Sequence, residues 1–145
     1  MKTTDEEAID VLIHRFFAVF DNTEHAVPDA LALIDMFADK AVIARHAEGR
    51  CDLYSPSEFA EPRIALLRSG ELVNFHEWEE SSSTRIAGDI AMRVSRYSKR
   101  GQLRGEDYRG RGTKFFQLAR ISGDWRIVSL AWTDDIENHA IGEAS

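Results

Sequence analysis

Several side chains in the second half of the chain can move a proton or hold an oxyanion. Gly88-Asp89 reads as a two-residue hairpin turn that pairs Ala87 with Ile90. Counting outward, Thr84 opposes Arg93, Ser82 opposes Ser95, Glu80 opposes Tyr97 and Trp78 opposes Lys99. Opposed residues share a face, so Arg93, Ser95 and Tyr97 join Asn74, His76, Trp78, Glu80 and Thr84 on one side of the sheet. A guanidinium such as that of Arg93 binds a carboxylate or a polarised carbonyl through two parallel bonds. Glu80 and His76 are the available proton-transfer groups, because burial can tune either residue type toward neutral pH. A plainer reading competes with each. Glu80 and Arg93 can simply neutralise one another, His76 can be a wall residue, and Trp78 and Trp132 can be core.

Other chemistries find little support. The five histidines show no i, i+4 or His-x-His spacing, so no metal site is expected. Cys51 is the single cysteine, which excludes an intrachain disulfide, and no histidine adjoins it to make a nucleophile. No phosphate loop, nucleophile elbow or dinucleotide fingerprint occurs, and no cofactor is expected.

The elements that must position these residues follow from periodicity. Thr4 and Glu7 read as a capping box, followed by Ile9, Leu12, Ile13, Phe16, Phe17 and Phe20 on one helical stripe. Pro28 opens a second helix with Leu31, Ile34 and Phe37 on its buried side. Residues 41–46 read as a strand with a turn at Gly49-Arg50. Ser55-Pro56-Ser57-Glu58 caps a third helix that Pro62 should kink or split and Gly70 closes. After Gly70 the period falls to two, giving strands over 72–87, 90–99, 113–121 and 125–134, with a glycine-rich loop at 101–112. A turn at Gly123-Asp124 pairs Gln117 with Leu130 and Phe115 with Trp132, and sends Trp125, Ile127 and Ala131 to the other face. Both faces of that hairpin are apolar and helices cover only one. A second copy of the chain is therefore expected on the outer face, through Trp125, Ile127 and Ala131, the alternative being the C-terminal segment folding over it.

Helices followed by a meander make an α+β order. The run Met36-Phe37-Ala38-Asp39-Lys40-Ala41-Val42-Ile43 after two helices, and the last strand Gly123-Asp124-Trp125-Arg126-Ile127-Val128-Ser129-Leu130-Ala131-Trp132, resemble the nuclear transport factor 2-like superfamily. Ketosteroid isomerases, scytalone dehydratase and polyketide cyclases share that fold. The resemblance spans about residues 5–136. It implies a cone-shaped curved antiparallel sheet with N-terminal helices over the concave face, a pocket at the open end and a homodimer through the outer sheet face. It makes the face of Gln117, Leu130, Phe115 and Trp132 the pocket side. In the family's isomerases a first-helix tyrosine, a general-base aspartate and a buried acid do the work. The matching positions here hold Phe16, Arg45 and Gln117. Phenylalanine donates no hydrogen bond and arginine is no base at neutral pH, so ketosteroid isomerisation by that route is not expected. The implied pocket is lined by Phe16, Arg45, Trp78, Arg93, Tyr97, Gln117 and Trp132, with Glu80 and His76 as catalytic candidates.

Length and charge bound the rest. A chain of 145 residues reads as one domain, 1–145, with residues 137–145 a frayed tail. The net charge of −7 argues against nucleic acid and anionic membranes as partners. One stretch is locally basic, with Arg93, Arg96, Lys99, Arg100, Arg104, Arg109, Arg111 and Lys114, and reads as a solvated strand and loop. The N-terminus is acidic and polar, unlike a secretory signal, and no apolar run is long enough for a membrane span, so a cytoplasmic location is expected. The expected function is small-molecule binding, extending to a cofactor-independent lyase, isomerase or cyclase that uses acid/base chemistry in the cone. The alternative is a non-catalytic ligand-binding or dimerisation module.

Overall fold

The computed structural model describes residues 1–135; the expectation for the tail lies outside them. Helix α1 (Thr4–Ala18) is capped by Thr3 and Glu6, one residue earlier than the sequence suggests, and its apolar stripe is fully buried. Asp29 caps the short α2 (Ala30–Ile34), so Pro28 precedes the helix. There Leu33 is the buried residue and Leu31 is exposed, because the helix ends before Phe37 can extend a stripe through Leu31. Helix α3 (Pro56–Arg68) carries the Ser55/Glu58 capping box and runs unbroken through Pro62. No helix among the described residues is long and apolar enough to cross a membrane.

Six strands follow: β1 (Phe37–Ala47), β2 (Arg50–Tyr54), β3 (Leu72–Ala87), β4 (Ile90–Leu103), β5 (Glu106–Ile121) and β6 (Asp124–Asp134). They form one sheet in the order β2-β1-β6-β5-β4-β3. The sheet is mixed, because β1 and β6 run parallel. The expected glycine-rich loop is instead the far half of the β4–β5 hairpin, turning at Arg104-Gly105. Two of its glycines serve close backbone approach, while Gly105 takes the positive φ of the turn. A Cβ on Gly101 would come within 3.0 Å of the Val73 carbonyl, and one on Gly112 would overlap the Thr133 carbonyl. The basic stretch therefore alternates across a ladder. Arg93 and Lys114 point inward and are buried. Arg96, Arg104 and Arg109 pair outside with Asp135, Glu71 and Asp107.

Register shifts decide which side chains face the helices, two in the β3–β4 pair (between Val73 and His76, and at Glu80) and one in the β5–β6 pair. The β3–β4 register follows the Gly88-Asp89 turn from Ala87↔Ile90 to Ser82↔Ser95. Glu80 is then an extra residue, and pairing resumes at Glu79↔Tyr97. Side chains alternate with period two, so one inserted residue inverts every face beyond it. Glu79, Glu77 and Phe75 are the inward residues, while Glu80, Trp78 and His76 are not. In the β5–β6 hairpin the turn is Ser122-Gly123, with Ile121↔Asp124, and Val128 is the extra residue. Trp125, Ile127, Leu130 and Trp132 are consequently all buried on the helix side, and Gln117 and Phe115 face outward. The expectation that Trp125 and Ile127 point away from the core is thus corrected; Ala131 does face outward.

Candidate functional site

Asn22, just past α1, ties the site together. Its amide donates to the carbonyls of Leu67 (2.9 Å) and Leu72 (2.7 Å), and its carbonyl accepts from the Phe75 N–H (2.6 Å). One side chain thus fixes the ends of α1 and α3 against the start of β3. Beside it lies a cavity of 390 Å³ between α3 and the inner sheet face, within the usual size range for small-molecule sites. Phe20, Phe59, Leu66, Leu67, Leu72, Phe75 and Trp132 supply its apolar wall.

The polar lining is charged. Lys114 Nζ lies 3.2 Å from Glu77 Oε2, and both side chains are buried. Lys99 Nζ lies 3.2 Å from an Asp134 oxygen, and the Tyr97 hydroxyl donates to the same carboxylate. Burial pulls the Lys114 amine below the ordinary lysine value, with Glu77 opposing and Lys99 adding to the fall. Burial also disfavours the Lys99 charge, but Tyr108 and Asp134 outweigh it and lift that group above the ordinary value. The Asp134 carboxyl is held low by Lys99, Tyr97 and Lys114 against the effect of burial. Burial and the Asp134 charge push the Tyr97 phenol up, so it remains a donor.

Arg63 and Arg45 complete the lining. The Arg63 guanidinium stands 5.1 Å from the Tyr54 ring, 4.7 Å from Phe59 and 5.1 Å from Trp132. It donates to the Phe59 carbonyl at 3.0 Å. Burial lowers its pKa, although a guanidinium stays charged in proteins. The lining therefore holds four cations, Arg45, Arg63, Lys99 and Lys114, against two carboxylates, Glu77 and Asp134. A local excess of positive charge inside a chain of net charge −7 is a focused field for an anion.

Neither the family models nor the curated proteins give a match to this sequence. Solved structures do. An NTF-2 like protein of unknown function from Silicibacter pomeroyi DSS-3 superimposes with a TM-score of 0.64 at 24% identity, covering 92% of this chain and all of its own. A protein assigned as an aromatic ring hydroxylase, from Novosphingobium aromaticivorans, gives 0.73 at 17% identity over 92% of this chain and 90% of its own. One assigned as a calcium/calmodulin-dependent protein kinase II association domain, from Xanthomonas campestris, gives 0.66 at 12% over 94% and 90%. The chain has the nuclear transport factor 2-like fold.

Within this NTF2-like fold the sequence-predicted residues divide. Arg45 and Trp132 line the cavity, and Tyr97 is buried beside it with its hydroxyl on Asp134. Phe16 stands one layer back, stacked 6.4 Å from Phe59. Arg93 is buried but lies outside the cavity lining. Glu79 takes two of its N–H groups at 2.6 and 3.1 Å, and Asp10 takes a third at 2.6 Å. Its partner is Glu79 and not Glu80, because of the bulge. Glu80 is exposed and accepts from Ser98. His76 pairs with Asp21 at 3.1 Å and stacks on Trp78 (5.0 Å between centroids), both outside the cavity lining. Gln117 accepts from Ser129 on the outer face.

The residues that sequence reasoning missed are Glu77, Lys114, Lys99, Asp134 and Arg63. The Arg63 signal was available. It falls four residues after Phe59 and shares its helical face, a charge set into an apolar stripe. Lys99 and Asp134 lie two residues beyond Tyr97 and Trp132 and so share their face, whereas Glu77 and Lys114 had no such marker, because the extra residue Glu80 and the one-residue shift of the last hairpin invert their strands.

Proposed function

We propose that this protein binds a small carboxylate with an aromatic, carbonyl-bearing body in the cavity and moves a proton on it with its own side chains. The observation that carries this reading is the excess of cations over acids in an aromatic-walled pocket. Arg63, with Arg45, would hold the carboxylate. Glu77 would take the proton next to the carbonyl, and Lys114 would stabilise the charge left on oxygen. This replaces Glu80 and His76 in the catalytic roles. The neighbour assigned as an aromatic ring hydroxylase supports an aromatic ligand class, at the level of shared fold.

A test uses 4-acetylbenzoate, which carries all three features. It should raise the unfolding temperature of the wild-type protein, and Arg63→Gln should lose most of the rise. In deuterated water the protein should speed exchange of the acetyl protons, and Glu77→Gln should abolish this while keeping the thermal shift. An equal shift in Arg63→Gln contradicts the reading. Binding without exchange favours the second reading, a non-catalytic module. That reading draws support from the existing pairing of both pocket acids, Glu77 with Lys114 and Asp134 with Lys99.

The proposal includes a homodimer through the outer sheet face. The register lines up Leu53, Ala44, Ala131, Phe115 and Val94 in one row across five strands. Phe115 is 57% exposed, and Val42 and Met92 flank the row, also exposed. An unpaired apolar row of this extent suits a second copy of the chain. The association-domain neighbour points the same way at fold level.

A further inference from the structure

We propose that Lys114 is a nucleophilic amine that captures the carbonyl of an aromatic oxo acid as a Schiff base, with Glu77 shuttling the protons. The inference rests on the carboxylate-binding reading above and names the bond that the site makes. Lys114 Nζ faces the cavity, 4.0 Å from the Tyr97 ring centroid and 5.1 Å from that of Trp132, with Glu77 Oε2 at 3.2 Å. Arg63 stands 5.1 Å from the same Trp132 ring. A flat ligand against that indole thus has a guanidinium for its carboxylate and an amine for its carbonyl. Burial favours the uncharged amine that attack requires, and the nearby Lys99 ammonium favours it further. Lys99 differs, because its own environment holds its charge.

The step balances without oxidant or reductant. Glu77 takes a proton from the Lys114 ammonium, and the freed nitrogen pair attacks the carbonyl carbon. The C=O π pair moves to oxygen, which takes the proton back from Glu77. Glu77 then removes one N–H proton and delivers it to the carbinol hydroxyl. That group leaves as water while the nitrogen pair forms the C=N bond. One carbonyl compound and one ammonium give one protonated imine and one water, with net charge unchanged.

The imine can be trapped. The wild-type protein is incubated with 4-formylbenzoate and cyanoborohydride at neutral pH, and the modified residue is located by peptide mapping. The chain has four lysines, Lys2, Lys40, Lys99 and Lys114, and mapping separates them from one another and from the N-terminal amine. A single carboxybenzyl group on Lys114, suppressed by excess 4-acetylbenzoate, is the expected result. Lys114→Arg should lose the adduct, and Lys40→Arg, exposed and away from the cavity, should keep it. Because the mapping is done on the wild type, the test survives a variant that fails to fold. Label on Lys2, Lys40 or Lys99 in place of Lys114, or none at all, overturns the proposal. If 4-acetylbenzoate still stabilises the protein in that case, only the Schiff base falls. If it does not, the binding reading falls with it.

Discussion

Arg93 shows what a buried charge requires. Its guanidinium is 2% exposed, and a bidentate Glu79, Asp10 on α1 and the Thr84 hydroxyl together satisfy it. Removing Glu79 leaves Asp10 as the remaining carboxylate on a guanidinium held away from water, with two N–H groups unsatisfied, which costs about 1–3 kcal/mol. Glu79→Gln should therefore lower the urea unfolding free energy by that order, and a loss under 1 kcal/mol would show the pair to be dispensable. The buried Arg93 was legible in the sequence, but its partner was not, since Glu79 and Glu80 are adjacent and chemically alike. The Asp134 carboxyl sits below its ordinary value of 3.8, held there by Lys99 and Tyr97 against burial. A depressed carboxyl contributes its full stability above the unfolded-state value, and that contribution is lost as pH falls through the folded one. Unfolding temperature should thus fall steeply below pH 3.8. Asp134→Asn should be less stable at neutral pH and show a shallower acid decline; an unchanged slope would remove Asp134 from the account.

At the scale of elements, single inserted residues choose the chemistry of the pocket. Turn residues and periodicity gave the helices, the strand sequence and the Gly88-Asp89 register directly. They carried no sign of the extra residues Glu80 and Val128 and set the last turn one residue late, so the faces were inverted for half of β3, for β5 and for the start of β6. The glycines at 101 and 112 were visible but ambiguous, because a loop and a crowded ladder both favour them. Deleting Glu80 would remove the shift between Ser81 and Glu79 and turn Glu77 out while Trp78 turned in. That variant should lose cooperative unfolding. Glu80→Ala keeps the bulge and should stay within about 0.5 kcal/mol of the wild type. Equal stability of the deletion and the substitution would mean that the bulge does not set the faces.

At the scale of the molecule, one sheet serves two apolar demands. Its inner face packs the helices and shapes the cavity; its outer face carries the row through Phe115. Phe115→Glu should turn a dimer in sedimentation into a single 16.4 kDa particle while leaving the fold intact. A wild-type protein already of that mass at micromolar concentration would leave the outer row unexplained by self-association. The amphipathic last hairpin made the two-sided demand readable from sequence, although of the residues it put outside only Ala131 is there and Trp125 and Ile127 are buried.

On the proposed function, positive charge in the cavity selects an anion despite the acidity of the chain as a whole. Calorimetric titration with 4-acetylbenzoate and with its neutral amide, 4-acetylbenzamide, tests it most directly. Charged hydrogen bonds to a guanidinium predict that the carboxylate binds about tenfold more tightly or better, and that Arg63→Gln erases the difference. Equal affinity for acid and amide in the wild-type protein would contradict it.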